Sequence, residues 1–91
     1  MNARVHVIVS GRVQGVFFRA STKQKADELG ITGWVKNTSD GNVEALFEGL
    51  DKHVGEIVDW CKTGPPLAEV KNIRIIRLDP KKDFNDFSIK H

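Results

Sequence analysis

Between residues 4 and 10 the chain alternates. Val5, Val7 and Val9 share one face of an extended segment, while Arg4, His6, Ile8 and Ser10 share the other. That period of two predicts a strand, and Ile8 on the otherwise polar face makes a central strand plausible. The period then changes. Phe18, Thr22, Ala26 and Leu29 fall at helical spacing, and Gly30 is a natural stop. Ser21 and Gln24 form a capping box that would open this helix near residue 22, whereas the apolar spacing opens it near residue 18, the start preferred here. Residues 32–38 return to alternation, with Trp34 and Lys36 on one face and Val35 and Asn37 on the other. Ser39-Asp40-Gly41-Asn42 carries hairpin chemistry. Residues 43–48 form the return strand, with Val43, Ala45 and Phe47 on one face and Leu46 between two glutamates on the other.

A second helix follows. Leu50, Val54, Ile57, Val58 and Cys61 make an apolar stripe at spacings of three and four, with Asp51 the candidate N-cap and Gly64-Pro65-Pro66 the stop. Residues 69–78 read as a strand. Its pattern shifts among Ile73, Ile75 and Ile76, which leaves the register open and allows a bulge. Residues 79–85 are a polar loop, and Phe87 and Ile89 alternate in a short last strand at the sheet edge. The order predicts an α+β protein, a ferredoxin-like βαββαβ sandwich. Its sheet is mostly antiparallel, its two helices lie on one face, and a short extra C-terminal edge strand is added.

Composition narrows the functional classes. Ninety-one residues predict a single domain over 1–91. Fourteen basic against 12 acidic residues give a net charge of +2, too even for nucleic acid or an anionic membrane to be the main partner. A local positive site for a small anion remains open. The single cysteine, Cys61, excludes an internal disulfide, and nothing argues for an oxidising compartment. No apolar run approaches a membrane span, and the N-terminus lacks the apolar core of a signal peptide, so a cytoplasmic protein is expected. His6, His53 and His91 are scattered, without zinc-type spacing, and neither a metal nor a cofactor is expected.

The candidate chemistry begins at the junction between the first strand and the first helix, Gly11-Arg12-Val13-Gln14-Gly15-Val16-Phe17-Phe18-Arg19. A strand–loop–helix junction presents backbone N–H groups and the positive end of a helix dipole to an arriving anion. Arg19 is then either a two-pronged phosphate ligand or a solvated helix arginine. The loop is neither a Walker loop nor a dinucleotide fingerprint, and turns need glycine anyway. Asn37, at a strand end, is either a turn-initiating residue or an amide that donates and accepts at once and so can fix a water. Thr38 supports it by local hydrogen bonding. Against these, His6 reads as structural or exposed and Cys61 as a small hydrophobe. Trp34 and Trp60 read as packing aromatics, and Lys81-Lys82 as part of a solvated loop.

The 11–19 stretch closely resembles the first motif of the acylphosphatase family. Gly33-Trp34-Val35-Lys36-Asn37-Thr38-Ser39-Asp40-Gly41-Asn42-Val43, with Gly49 beyond, resembles its second. The resemblance takes in essentially the whole chain, including Gly64-Pro65-Pro66 and Phe87-Ser88-Ile89. It implies a ferredoxin-like, metal-free hydrolase that splits small-molecule acyl phosphates into carboxylate and inorganic phosphate. Carried over by position, it implies that Arg19 binds the phosphoryl group, that Asn37 orients the attacking water, and that backbone N–H groups across Gln14, Gly15, Val16, Phe17, Phe18 and Arg19 complete the cradle. A monomer is expected. Two rivals of other classes stay in view. An RNA-binding module would need exposed aromatics on the central strands in the Lys/Arg-Gly-Phe/Tyr pattern, which is not found. An anion-sensing accessory domain would bind the phosphate without hydrolysis.

Overall fold

Val7 is fully buried and Val5 and Val9 nearly so, while His6 and Ile8 between them are half-buried. Alternation along the first strand thus translates into one dry face and one partly covered face. In a computed structural model describing residues 1–91, the elements are β1 (Asn2–Arg12), α1 (Phe18–Leu29), β2 (Thr32–Asn37), β3 (Val43–Leu50), α2 (Asp51–Cys61), β4 (Glu69–Leu78) and β5 (Phe87–Lys90). The five strands form one sheet in the order β4-β1-β3-β2-β5. Every pairing is antiparallel except that of β5 with β2. α1 packs over β2 and β5, α2 over β1 and β3, and the two helices touch each other. This is the expected ferredoxin-like sandwich with an added edge strand. No helix is long and apolar enough to cross a membrane.

The valines of β1 meet Val43, Ala45 and Phe47 of β3 and Val54, Ile57, Val58 and Cys61 of α2 in a single core. Two register details shape the sheet around it. Ser10 pairs with Asn72 but Gly11 pairs with Val70, so Lys71 is an extra residue in β4, and the bulge allowed by the Ile73–Ile76 pattern lies just before it. Gly33 of β2 stands opposite Phe47 on one side and Phe87 on the other. A Cβ there would lie 1.9 Å from the Leu46 carbonyl oxygen, so the position takes only glycine. With no side chain between them, Phe47 and Phe87 stack at 5.7 Å and 14° across the gap. Such a pair contributes about 0.5–1.5 kcal/mol beyond its buried area. It ties the short β5 to the core, and Lys23 Nζ adds a bond of 3.0 Å to the Phe87 carbonyl.

α1 starts at Phe18, not at residue 22, because Ser21 already donates its N–H to the Phe17 carbonyl in helical register. Its end at Gly30 is left-handed, with the Ile31 and Gly30 N–H groups closing on Ala26 and Asp27. The expectation for α2 needs correction. Asp51 does not cap it; Leu50 occupies the cap position in an extended conformation and is exposed, outside the apolar stripe. β3 stays paired with β1 as far as Leu50, and the Asp51 N–H is taken by the Met1 carbonyl. Asp51 therefore enters as the first helical residue, where its charge still suits the helix dipole.

The sheet face away from the helices is also organised. Arg4 is 8% exposed and donates to Glu48 Oε1 at 3.0 Å and to Asp83 Oδ1 at 2.7 Å, with its guanidinium 5.3 Å from the centre of the Phe84 ring. Glu48 accepts from the Lys81 and Lys82 N–H groups as well. The segment read as a solvated loop is therefore pinned by its backbone, although both lysine side chains are exposed. His6 is structural, paired with Glu44 at 2.6 Å.

Candidate active site

β1 ends at Arg12 and α1 starts at Phe18, so five residues must reverse the chain. They do so with two left-handed residues, Gly15 at φ 74° and Phe17 at φ 66°. Glycine meets that requirement without penalty. Phenylalanine does not, and a bulky residue held there costs about 1–3 kcal/mol. Alternating left-handed residues turn successive N–H groups toward one side of a loop, the geometry of anion-binding nests. None of the N–H groups from Gln14 to Arg19 donates to a carbonyl in the turns, loops and caps of the chain. The first turn of α1 adds its unsatisfied donors and the positive end of its dipole. No side chain caps it.

Beside this loop lies a cavity of about 320 Å³. Gly15, Phe18, Arg19 and Asn37 line one part of it. The two long-range partners arrive by different routes. Arg19 sits in the first turn of α1, next to the loop it follows. Asn37 is the last residue of β2 and shares the helix-side face with Val35, which is fully buried. Alternation along β2 thus turns Asn37 toward α1 and sends Trp34 and Lys36 to the opposite face. Arg19 and Asn37 are both half-buried, and neither side chain makes an ion pair or hydrogen bond within the protein. Partly desolvated donors without partners have capacity left for a ligand.

The remaining expected site residues divide differently. Gln14 does not line the cavity. Its side-chain amide donates to the carbonyls of Thr38 and Asn42, both at 2.8 Å, and so staples the loop to the turn that follows Asn37. Val16 turns its side chain into the core at 8% exposure. Thr38 lies just past β2, in the turn, where its hydroxyl accepts from the Asn42 N–H at 3.0 Å and donates to Asp40. Its role is local support of the turn. The cavity also has walls that the reading of the sequence did not anticipate. Val13, Ala20, Ile89 and His91 line it, and Phe17, expected here for its backbone N–H, adds to the apolar lining. Ile89 and His91 come from β5 and beyond, far along the chain, and only the parallel pairing of β5 with β2 brings them here. The alternation of Phe87 with Ile89 gave a strand but no hint of this neighbour.

Cys61 is fully buried, and burial pushes its thiol up to about 12, so it stays protonated and inert. No group of three or more His, Cys, Asp or Glu side chains is placed to hold a metal ion.

The acylphosphatase family model matches residues 5–89. A curated acylphosphatase from Pelotomaculum thermopropionicum is 49% identical over 87 residues, covering 96% of this chain and 95% of the relative. An acylphosphatase structure from Coxiella burnetii superposes with a TM-score of 0.92 at 43% identity, covering 98% of this chain and 93% of the other. One from Bacillus subtilis superposes with a TM-score of 0.93 at 37% identity over the full length of both chains.

Proposed function

The chain belongs to the acylphosphatase family, and we propose that it hydrolyses the carboxyl–phosphate anhydride of small-molecule acyl phosphates in the cavity between the 14–19 loop and Asn37. The observation that carries this reading is the meeting of two unpaired polar side chains, Arg19 and Asn37, with a run of undonated loop N–H groups around one cavity. In this reading Arg19 and the N–H groups from Gln14 to Arg19 hold the phosphoryl oxygens. Asn37 accepts from and donates to the attacking water, and Thr38 steadies the turn behind it.

The chemistry asks little else of the protein. A carboxylate is a weakly basic leaving group, so no general acid is needed to expel it. Phosphoryl transfer is mostly positioning and stabilisation of charge on the equatorial oxygens. Donors already fixed in place stabilise that charge without reorganising at the moment of reaction. The proton of the water passes to a phosphoryl oxygen of the substrate, which removes the need for a protein base. The same reasoning makes the reaction independent of metal, and a chelator should leave the rate unchanged. We also propose a cytoplasmic monomer built as one domain: one hydrophobic core joins all the elements, and the only thiol is buried.

The test is hydrolysis of benzoyl phosphate followed by ultraviolet absorbance, with inorganic phosphate binding measured in parallel. Asn37→Ala should lose turnover on the order of 10²–10³-fold while still binding phosphate. Hydrolysis by Asn37→Ala at the parent rate would remove the water-positioning role.

A further inference from the structure

Resting on the reading of this cavity as the hydrolytic site, we infer that Phe17 and Ile89 form a subsite for the acyl group that selects aromatic or extended apolar acyl phosphates over acetyl phosphate. The cavity is larger than the reaction needs. A water takes about 30 Å³ in the liquid and a phosphoryl group a few times that, against about 320 Å³ here. The phosphoryl group and water belong beside Arg19, Asn37 and the loop. Most of the rest of the lining is apolar, Val13, Phe17, Ala20 and Ile89, with His91 the one polar side chain among them. Arg19 is the only lysine or arginine on the wall, and the phosphoryl group takes it. An acyl group carrying a second anionic group would find no lysine or arginine of its own.

Phe17 is the sharper sign. It is 72% exposed, with its backbone at φ 66°. Nothing in the fold covers that ring, and glycine would meet the backbone demand with less strain. The left-handed turn that aims the loop N–H groups at the phosphate also throws this ring out to the cavity wall. A large apolar side chain kept at a strained, uncovered position beside a reaction centre has its apolar partner in the substrate. Ile89, carried in by β5, adds apolar surface to the lining of the same cavity.

The experiment has two arms. In the first, kcat/KM is measured for benzoyl phosphate and acetyl phosphate in the parent, Phe17→Gly, Phe17→Leu and Ile89→Ala. The readout is the ratio between the two substrates. Intrinsic reactivity cancels between variants, and any disturbance of the loop acts on both substrates alike. The ratio should fall about tenfold in Phe17→Gly, chiefly through KM for benzoyl phosphate. It should fall in the same direction in Ile89→Ala, and Phe17→Leu should restore most of it. Glycine is at home at a positive φ, so Phe17→Gly folds. In the second arm, binding of benzylphosphonate and methylphosphonate is measured by calorimetry in the same proteins, which reads the subsite without turnover. The parent should bind benzylphosphonate more tightly, and Phe17→Gly should lose that margin. A substrate ratio unchanged within twofold in Phe17→Gly, or equal affinity of the parent for the two phosphonates, overturns the subsite. Absence of hydrolysis of both substrates by the parent, with the phosphonate preference intact, overturns the hydrolytic reading and leaves the subsite standing.

Discussion

Arg4 and Arg19 show what the protein does with a guanidinium at each end of the sheet. Arg4 is 8% exposed, bonded to Glu48 and Asp83 and covered by Phe84. Arg19 is half-buried beside a cavity and bonded to nothing in the protein. Burying a charge costs free energy unless partners repay it, and at Arg4 the chain supplies them. At Arg19 the chain leaves the partner to be supplied from outside. The first arrangement holds a loop in place, and the second, in the function proposed above, holds a ligand. The hydrogen bond that the Arg4 guanidinium donates to Asp83 is the main reason that it is raised above its ordinary value, with burial opposing it. That end of the molecule bonds its guanidinium through Nη1 to both carboxylates and leaves only the buried Nε without a partner.

The contrast is most open to attack at Arg19. Arg19→Ala should lower turnover on an acyl phosphate by 10²–10³-fold or more and weaken inorganic phosphate binding, because a preorganised donor to developing charge is gone. Its denaturant midpoint should hardly move, within about 0.5 kcal/mol, since no internal partner is orphaned. A large loss of stability would show that Arg19 is structural after all. Arg4→Ala should behave in the opposite way. We expect a loss of roughly 2 kcal/mol in equilibrium unfolding with kcat near the parent value. The cost stays below the 3–5 kcal/mol of a fully enclosed pair, because Asp83 is half in solvent and Glu48 keeps the Lys81 and Lys82 N–H groups. A collapse of kcat in folded Arg4→Ala would join the two ends and break the comparison.

Gln14 sharpens the comparison from inside the site. It is a satisfied polar group whose work is to keep others unsatisfied in the right place, since both of its bonds run to the turn that follows Asn37. Gln14→Ala should cost about 1–2 kcal/mol for the two hydrogen bonds. It should also lower kcat about tenfold through misplacement of Asn37 against the loop, with phosphate affinity less affected. Equal kcat in parent and variant would leave Gln14 with only a structural part.

What was legible in the sequence follows the range of the interactions involved. The strands and α1 could be read because alternation, helical spacing and Gly30 act within a few residues. Arg19 and Asn37 could be paired because their motifs are long and in register with each other. Asp51 misled because capping chemistry is local while its N–H was claimed by Met1, at the start of the chain. The Arg4–Glu48–Asp83 cluster and the approach of Ile89 to the cavity were invisible for the same reason. Both depend on which strands become neighbours, and neither a lone arginine in a strand nor an isoleucine in an edge segment signals its partner. Phe17 could be seen in the motif, but its left-handed backbone and bare ring could not.

The smallest expected effect is one of pH, and it belongs to the satisfied end. The hydrogen bond from Arg4 holds the Asp83 carboxyl below its ordinary value of about 3.9, and the positive charge of Arg4 adds to this. A carboxylate whose folded value is depressed binds protons more readily in the unfolded chain. Its contribution to stability is therefore full above the unfolded value and is lost as pH falls through the folded one. Asp83→Asn removes that titration while leaving an oxygen to accept from Arg4. The parent should exceed Asp83→Asn in denaturant midpoint by a constant small margin from pH 8 down to about 5, and the margin should close below about pH 4. Asp83 is exposed, so salt should shrink the margin as well. A margin as large at pH 3 as at pH 5 would mean that Asp83 contributes through shape or hydrogen bonding alone. The contrast between the two arginines would then rest on Glu48, the buried partner, and not on the loop that covers it.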